Sequence, residues 1–167
     1  MHLVSAATVE QVWSWLGEVP DPEIPAISVV DLGIVREVAW VGDDLVVTVT
    51  PTYSGCPANG AIALSIQAAL RARGLAQVRL RSRLAPPWTT DWISETGREK
   101  LRAYGIAPPV GKAAGLERML SRQPLTVACP RCGSTETARI SEFGSTPCKA
   151  QYRCKACLEP FDYFKCH

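Results

Sequence analysis

Histidine is nearly absent from this sequence: its 167 residues hold two, His2 and His167. A Ser-His or Cys-His pair set in a pocket needs an internal imidazole, as does a HExxH metal site, and the sequence argues against both. A surplus of charge is also missing. Eighteen Lys+Arg against sixteen Asp+Glu leave +2, too little to point to nucleic acid as a partner. No run approaches the ~18 apolar residues that a membrane-spanning helix requires. The opening MHLVSAATVEQVWSWLG has no basic start and no small-x-small cleavage pattern, so no export signal is expected and a cytoplasmic location is.

What is present is a globular composition, 47% hydrophobic and 20% charged, which supplies side chains for a core and argues against disorder. Seven cysteines stand out, six of them from Cys129 onward. A disulfide scaffold would spread its cysteines along the chain. Crowding, an odd number and two CxxC pairs instead point to metal or thiol chemistry in a reducing compartment.

The patterning predicts an α+β chain. Thr8 with Gln11 forms a capping box ahead of the stripe Val9, Val12, Trp13 and Leu16, with Gly17 as the stop. Val19-Pro-Asp-Pro-Glu-Ile-Pro25 is an extended, proline-stiffened loop. Two strands follow, Ile34 to Val41 and Leu45 to Thr50, joined through Gly42-Asp43. A helix carrying Ile62, Ile66, Ala69 and Leu70 is expected to start with Pro57 in its first turn and to close at Gly74. In a third strand, Ala76 to Leu84, Val78, Leu80 and Leu84 are expected to face inward and Arg79, Arg81 and Arg83 outward. The order α-β-β-α-β describes a small mixed sheet covered by helices. A short helix with Ile93, Gly97, Leu101 and Tyr104 at helical spacing comes next. The expected division is a domain over 1–105, a linker over 106–124 and a cysteine module over 125–167. The P-loop-like string from Gly105 to Ala113 has five residues between its glycines and no hydroxyl after Lys112, so it predicts no nucleotide site.

Cys129-Pro-Arg-Cys132 and Cys154-Lys-Ala-Cys157 each place two thiols on one tight turn. Two such turns joined by a hairpin complete a tetrahedral four-cysteine site, the arrangement of a zinc ribbon. Iron fits the same sulfurs, but a closed structural site favours zinc. So short a module also needs a staple, since it cannot build a sufficient core. Cys148 and Cys166 remain, either as incidental thiols or as alternative ligands of a labile site.

Cys56 sits at a strand-to-helix junction, where a thiolate is stabilised by free backbone N–H groups. A buried, inert cysteine fits the same facts. With no histidine near, a base partner would be Asp21, Glu23 or Asp31. The arginine strand reads as a solvated edge or as a docking face for an acidic protein or a phosphorylated cofactor.

Asp21-Pro-Glu23-Ile-Pro25, Asp31-Leu-Gly33-Ile-Val35 and Thr50-Pro-Thr-Tyr-Ser-Gly55-Cys56-Pro57 together resemble the MIP-type (SufT-like) family of iron–sulfur assembly domains. Pro87-Trp-Thr-Thr-Asp-Trp-Ile93, Phe143-Gly-Ser-Thr-Pro-Cys148-Lys-Ala and Glu159-Pro-Phe-Asp-Tyr-Phe-Lys165 are similar to the branch of that family found in phenylacetyl-CoA ring epoxidase systems. The resemblance implies a cytoplasmic, non-catalytic accessory protein of aerobic phenylacetate degradation. It would assist iron–sulfur or metal-centre assembly in a partner subunit, with the iron–sulfur flavin reductase as client. Carried over to this sequence, Cys56 is the candidate transfer thiol for an iron–sulfur cluster or iron, with Glu23 and Asp21 beside it. Zinc would sit on Cys129, Cys132, Cys154 and Cys157. A homodimer is compatible with this reading. Two rival readings remain, a thiol-dependent component acting directly in epoxidation and a zinc-ribbon module for nucleic acid.

Overall fold

The computed structural model describes residues 7–53, 55–111 and 125–166. The chain divides into two compact units, one ending at Trp88 and the other beginning at Thr89. Ser54, the residues around Leu116–Leu120 and both histidines lie outside the described residues.

In the first unit, α1 (Val9–Leu16) opens with the expected capping box, the Thr8 hydroxyl accepting the Gln11 N–H while the Gln11 side chain accepts that of Thr8. Its apolar stripe buries Val12 and Leu16. β1 (Val35–Val41) and β2 (Asp44–Val49) pair antiparallel across the two-residue turn Gly42-Asp43. Gly42 takes φ +62°, a conformation that L side chains rarely adopt and that two-residue hairpin turns require. α2 (Ala58–Arg71) buries Ala58, Ile62, Ile66 and Leu70, a four-residue spacing that lines up one face. It returns the chain to β3 (Val78–Ser82), which lies parallel to β2. The sheet order is β1-β2-β3. Leu16, Ile24, Ile27, Leu45, Ile66 and Leu70 form the interior, and each such side chain contributes roughly 1.5–3 kcal/mol of transfer free energy.

Two local expectations need correcting. Pro57 stands at the N-cap and not inside the helix, although its φ of −65° and ψ of −21° are already helical. Leu84 does not face the core. β3 ends at Ser82 and the chain leaves the sheet before Leu84, which is 63% exposed. The arginine strand is an edge, as expected, and Arg79 pairs with Asp44 at 2.7 Å while Arg83 pairs with Glu37.

In the second unit, a 3₁₀ turn over Thr90–Trp92 leads to α3 (Glu95–Tyr104), capped by the Ser94 hydroxyl accepting the Gly97 N–H at 2.9 Å. Ile93, Gly97 and Leu101 are buried while Tyr104 is exposed. β4 (Ile106–Ala107) begins where the linker was expected and pairs parallel to the last strand. β5 (Thr137–Ser141), β6 (Lys149–Cys154) and β7 (Pro160–Phe164) complete a sheet ordered β4-β7-β6-β5. α3 packs on β4, so both belong with the cysteine module.

Candidate metal centre and the Cys56 loop

The four cysteines of the second unit arrive on two knuckles built alike. Cys129 N–H donates to the Ser134 carbonyl at 2.9 Å, and Cys154 N–H donates to the Glu159 carbonyl at 3.0 Å, five residues on in both cases. Within each knuckle a backbone N–H points at the first sulfur: Arg131 N to Cys129 Sγ is 3.4 Å and Cys157 N to Cys154 Sγ is 3.5 Å. The residue after the second cysteine turns left-handed in both, Gly133 at φ +77° and Leu158 at φ +66°. Glycine takes this conformation freely, whereas for leucine it costs about 1–2 kcal/mol.

The pairing of the two hairpins β5–β6 and β6–β7 brings the knuckles together. All four sulfurs lie within 4.8 Å of one another. Cys129 Sγ is 3.7 Å from Cys157 Sγ, and Cys132 Sγ is 3.6 Å from Cys154 Sγ. Disulfides require about 2.05 Å. A zinc–sulfur bond of about 2.3 Å gives a tetrahedral edge of about 3.8 Å, so these spacings fit a metal ion and do not fit cross-links. The thiols do not ionise alike. Cys154 falls to about 6, chiefly because the Cys157 N–H stabilises its thiolate. Cys157 is also favoured as thiolate by the Glu159 N–H, but desolvation and the neighbouring sulfurs outweigh that and push it up to about 12. Four thiolates this close need a cation among them.

Cys148 and Cys166 stand outside this group. Cys148 is buried, with Sγ 3.0 Å from the Thr146 hydroxyl, and Cys166 Sγ lies 3.5 Å from the Tyr163 hydroxyl and 3.3 Å from the Val110 carbonyl.

In the first unit, Cys56 is half-buried on the loop between β2 and α2. Its N–H donates to the Tyr53 carbonyl at 3.2 Å, and its own carbonyl accepts the Asn59 N–H at 3.2 Å. Asp21 is buried and its Oδ1 accepts the N–H groups of Glu23 and Ile24 at 2.9 and 2.8 Å. That carboxylate therefore fixes the turn that presents Glu23. Asp31 is also buried and is engaged with Ser28: its Oδ2 accepts the Ser28 N–H at 3.3 Å, and the Ser28 hydroxyl accepts the Asp31 N–H at 3.0 Å. The Trp88 indole N–H donates to the Leu32 carbonyl at 2.9 Å, tying the end of this unit to the Asp31-Leu-Gly33 loop.

The sequence reading missed Thr50. This residue is 1% exposed, and its Oγ1 has no hydrogen-bond partner. It lines a cleft of about 320 Å³ together with Pro51, Thr52, Tyr53, Leu84, Pro87 and Trp88. The sequence carries two threonines at this end of β2, Thr48 and Thr50, and nothing in it told which hydroxyl would be left without a partner.

The chain matches the model of the PaaD zinc beta ribbon domain over residues 114–165 and that of an iron–sulfur cluster assembly protein over residues 9–79. It is 47% identical over 163 residues to the D protein of a putative 1,2-phenylacetyl-CoA epoxidase of Escherichia coli K12, an alignment covering 98% of this chain and 96% of that one. Among solved structures it is similar to a domain of unknown function, DUF59, from Bacillus anthracis. The TM-score is 0.51 at 26% identity, over 55% of this chain and 89% of that one. Among the described residues, no helix is long and apolar enough to cross a membrane.

Proposed function

Since the chain belongs to the PaaD family, the D proteins of phenylacetyl-CoA epoxidase systems, we propose that it is an accessory protein that assembles or repairs the iron–sulfur centre of the partner reductase. One observation carries this reading. The ribbon cysteines answer to one another as a closed four-sulfur site, whereas Cys56, within the assembly-type domain, is half-buried and joins no such group among the described residues. A closed tetrahedral site is structural, because no position is left for a reacting ligand. Zinc held there by Cys129, Cys132, Cys154 and Cys157 offsets half of the charge of the four thiolates and fixes the hairpins.

Cys56 then serves as the ligand through which an iron or iron–sulfur cargo passes, with Glu23 as a candidate oxygen ligand or proton acceptor and Asp21 positioning the turn that carries it. Transfer is a ligand exchange. A client thiol gives up its proton and bonds to iron as the Cys56–iron bond breaks, the Cys56 thiolate takes up a proton, and no electron moves. Nothing in the chain supplies a di-iron Glu-x-x-His pair or a flavin motif, which supports a role in preparing the oxygenase system and not in its turnover.

The test compares cells carrying wild-type, Cys56→Ala or Glu23→Ala protein at equal soluble levels. Each variant is expected to stay folded and zinc-loaded, while the reductase accumulates with depleted iron and acid-labile sulfide and epoxidation fails. A fully loaded reductase in Cys56→Ala cells would overturn the reading.

A further inference from the structure

The Thr50 hydroxyl is the one buried side-chain polar atom among the described residues left without a partner. Buried hydroxyls in native structures are nearly always satisfied, and an orphan is a place to look for something that arrives later. Thr50 immediately follows β2, where side chains alternate between faces. Val49 lines one cavity with Ile34, Ile62 and Leu80, and Thr50 lines the other with Tyr53, Leu84 and Trp88. The threonine therefore floors the second cleft. Staggered rotamers lie 120° apart, and such a turn about χ1 carries Oγ1 into the place of the methyl group and the methyl group into that of Hβ, which re-aims the hydroxyl towards an entering group.

The lining sets the chemistry of that group. Pro51, Leu84, Pro87 and Trp88 give apolar walls, Thr50, Thr52 and Tyr53 give hydroxyls, and no charged side chain is present. An anion such as a phosphate would find no counter-charge. The Thr50 N–H is already given to the Ile34 carbonyl at 2.8 Å and the Trp88 indole N–H to Leu32, so the free valence at the floor is the hydroxyl. A neutral ligand with an apolar side chain and one peptide group matches these features. The cleft also adjoins the transfer loop, because the Tyr53 carbonyl that holds the Cys56 N–H belongs to a residue of its wall.

We propose that this cleft binds an extended peptide segment of the client protein, seating an apolar side chain against Leu84, Pro87 and Trp88 and hydrogen-bonding a peptide carbonyl to Thr50 Oγ1. The inference deepens the accessory reading by naming what the domain recognises beside Cys56, but binding does not use the thiol.

The probe is N-acetyl-leucine methylamide, titrated into full-length zinc-loaded protein and followed by NMR. Saturable shifts are expected at Thr50, Thr52, Tyr53, Leu84 and the Trp88 indole, and N-acetyl-glycine methylamide and inorganic phosphate should give none. Thr50→Val keeps the shape, so the protein stays folded, and weakens binding about fivefold through the lost hydrogen bond. Its thermal midpoint should hold or rise, because an unsatisfied hydroxyl has been removed. Leu84→Ala, at an exposed position, should also weaken binding. Absence of saturable shifts at the cleft, a response to phosphate instead, or equal affinity in Thr50→Val would overturn the proposal. Cys56→Ser is expected to bind the probe like wild type. Intact binding alongside a dispensable Cys56 would remove the transfer reading alone, and an essential Cys56 without probe binding would remove this one alone.

Discussion

The unit ending at Trp88 buries Leu16, Ile24, Ile27, Leu45, Ile66 and Leu70 at no more than 2% exposure. The ribbon's interior is smaller and of another kind: Ala107, Val127, Ala150, Tyr152, Phe161 and Tyr163 cluster with Cys129 and Cys154, two of its own metal ligands. Tyr152 stacks on Phe161 at 5.8 Å between ring centroids and meets Tyr163 edge-on at 5.5 Å. Aliphatic packing can hold the first unit without help. The second ties its core to sulfur, so its folding and its metal binding are one free energy. Losing the ion should cost the ribbon its structure and leave the first unit standing, and damage to the first unit should leave the zinc in place.

A reciprocal pair of variants makes the largest demand on that comparison. Cys132→Ser removes an exposed ligand and forfeits most of the ~10–16 kcal/mol that structural zinc supplies. The ribbon's dispersed NMR signals should collapse and zinc content fall to near zero, while signals of residues 9–82 persist. Ile66→Ala, at a fully buried position, should cost about 2–5 kcal/mol in the first unit and leave zinc stoichiometric. Zinc retained in Cys132→Ser, or lost in Ile66→Ala, would break the contrast.

The next prediction sharpens the chemistry of the ribbon. Cys154 is ionised above about 6, whereas Cys157, pushed up to about 12, must give up its proton when zinc binds. Each proton released steepens the loss of affinity by about tenfold per pH unit as pH falls, and below about 6 the Cys154 proton joins the count. Zinc affinity should therefore fall with falling pH, and fall more steeply below about 6. Calorimetry in buffers of different ionisation enthalpy counts the protons. An unchanged proton count from pH 7 to pH 5 would show that Cys154 is not the first thiol to ionise.

The smallest effect lies at the left-handed residues of the knuckles. Leu158→Gly should stabilise the loaded ribbon by about 0.5–1 kcal/mol, since relief of strain exceeds the added freedom of the unfolded chain. Gly133→Ala should destabilise it by about 1 kcal/mol. A Cβ at residue 133 meets nothing within 4 Å, so that cost is backbone alone. Chelator-competition midpoints measure both changes, and a destabilised Leu158→Gly would mean that the leucine side chain earns its place by contact.

These differences also explain what was legible beforehand. Metal ligands come in local pairs, so Cys129, Cys132, Cys154 and Cys157 could be read from spacing before any strand was placed. The Thr8–Gln11 capping box, the Gly42-Asp43 turn and the face of α2 are likewise short-range signals, and the structure has each of them. Long-range partners were hidden. Nothing around Ile106-Ala107 announced a strand, because its partner in β7 lies more than fifty residues away. Leu84 satisfied the alternation of its neighbours, yet the sheet ends two residues before it. The orphaned Thr50 hydroxyl is a property of what surrounds it, and composition does not reveal surroundings.

The pairing of β4 with β7 has a consequence for biosynthesis. A ribosome has finished everything the first sheet needs once Ser82 has emerged. Ile106 and Ala107 appear soon afterwards, but they must wait for Asp162 and Tyr163 before their hydrogen bonds can close. During that interval Cys129 and Cys132 are on the nascent chain without Cys154 and Cys157. The ribbon's sheet therefore closes only once β7 is available, later in synthesis than any strand of the first sheet, and its second pair of metal ligands comes with that last stretch of chain.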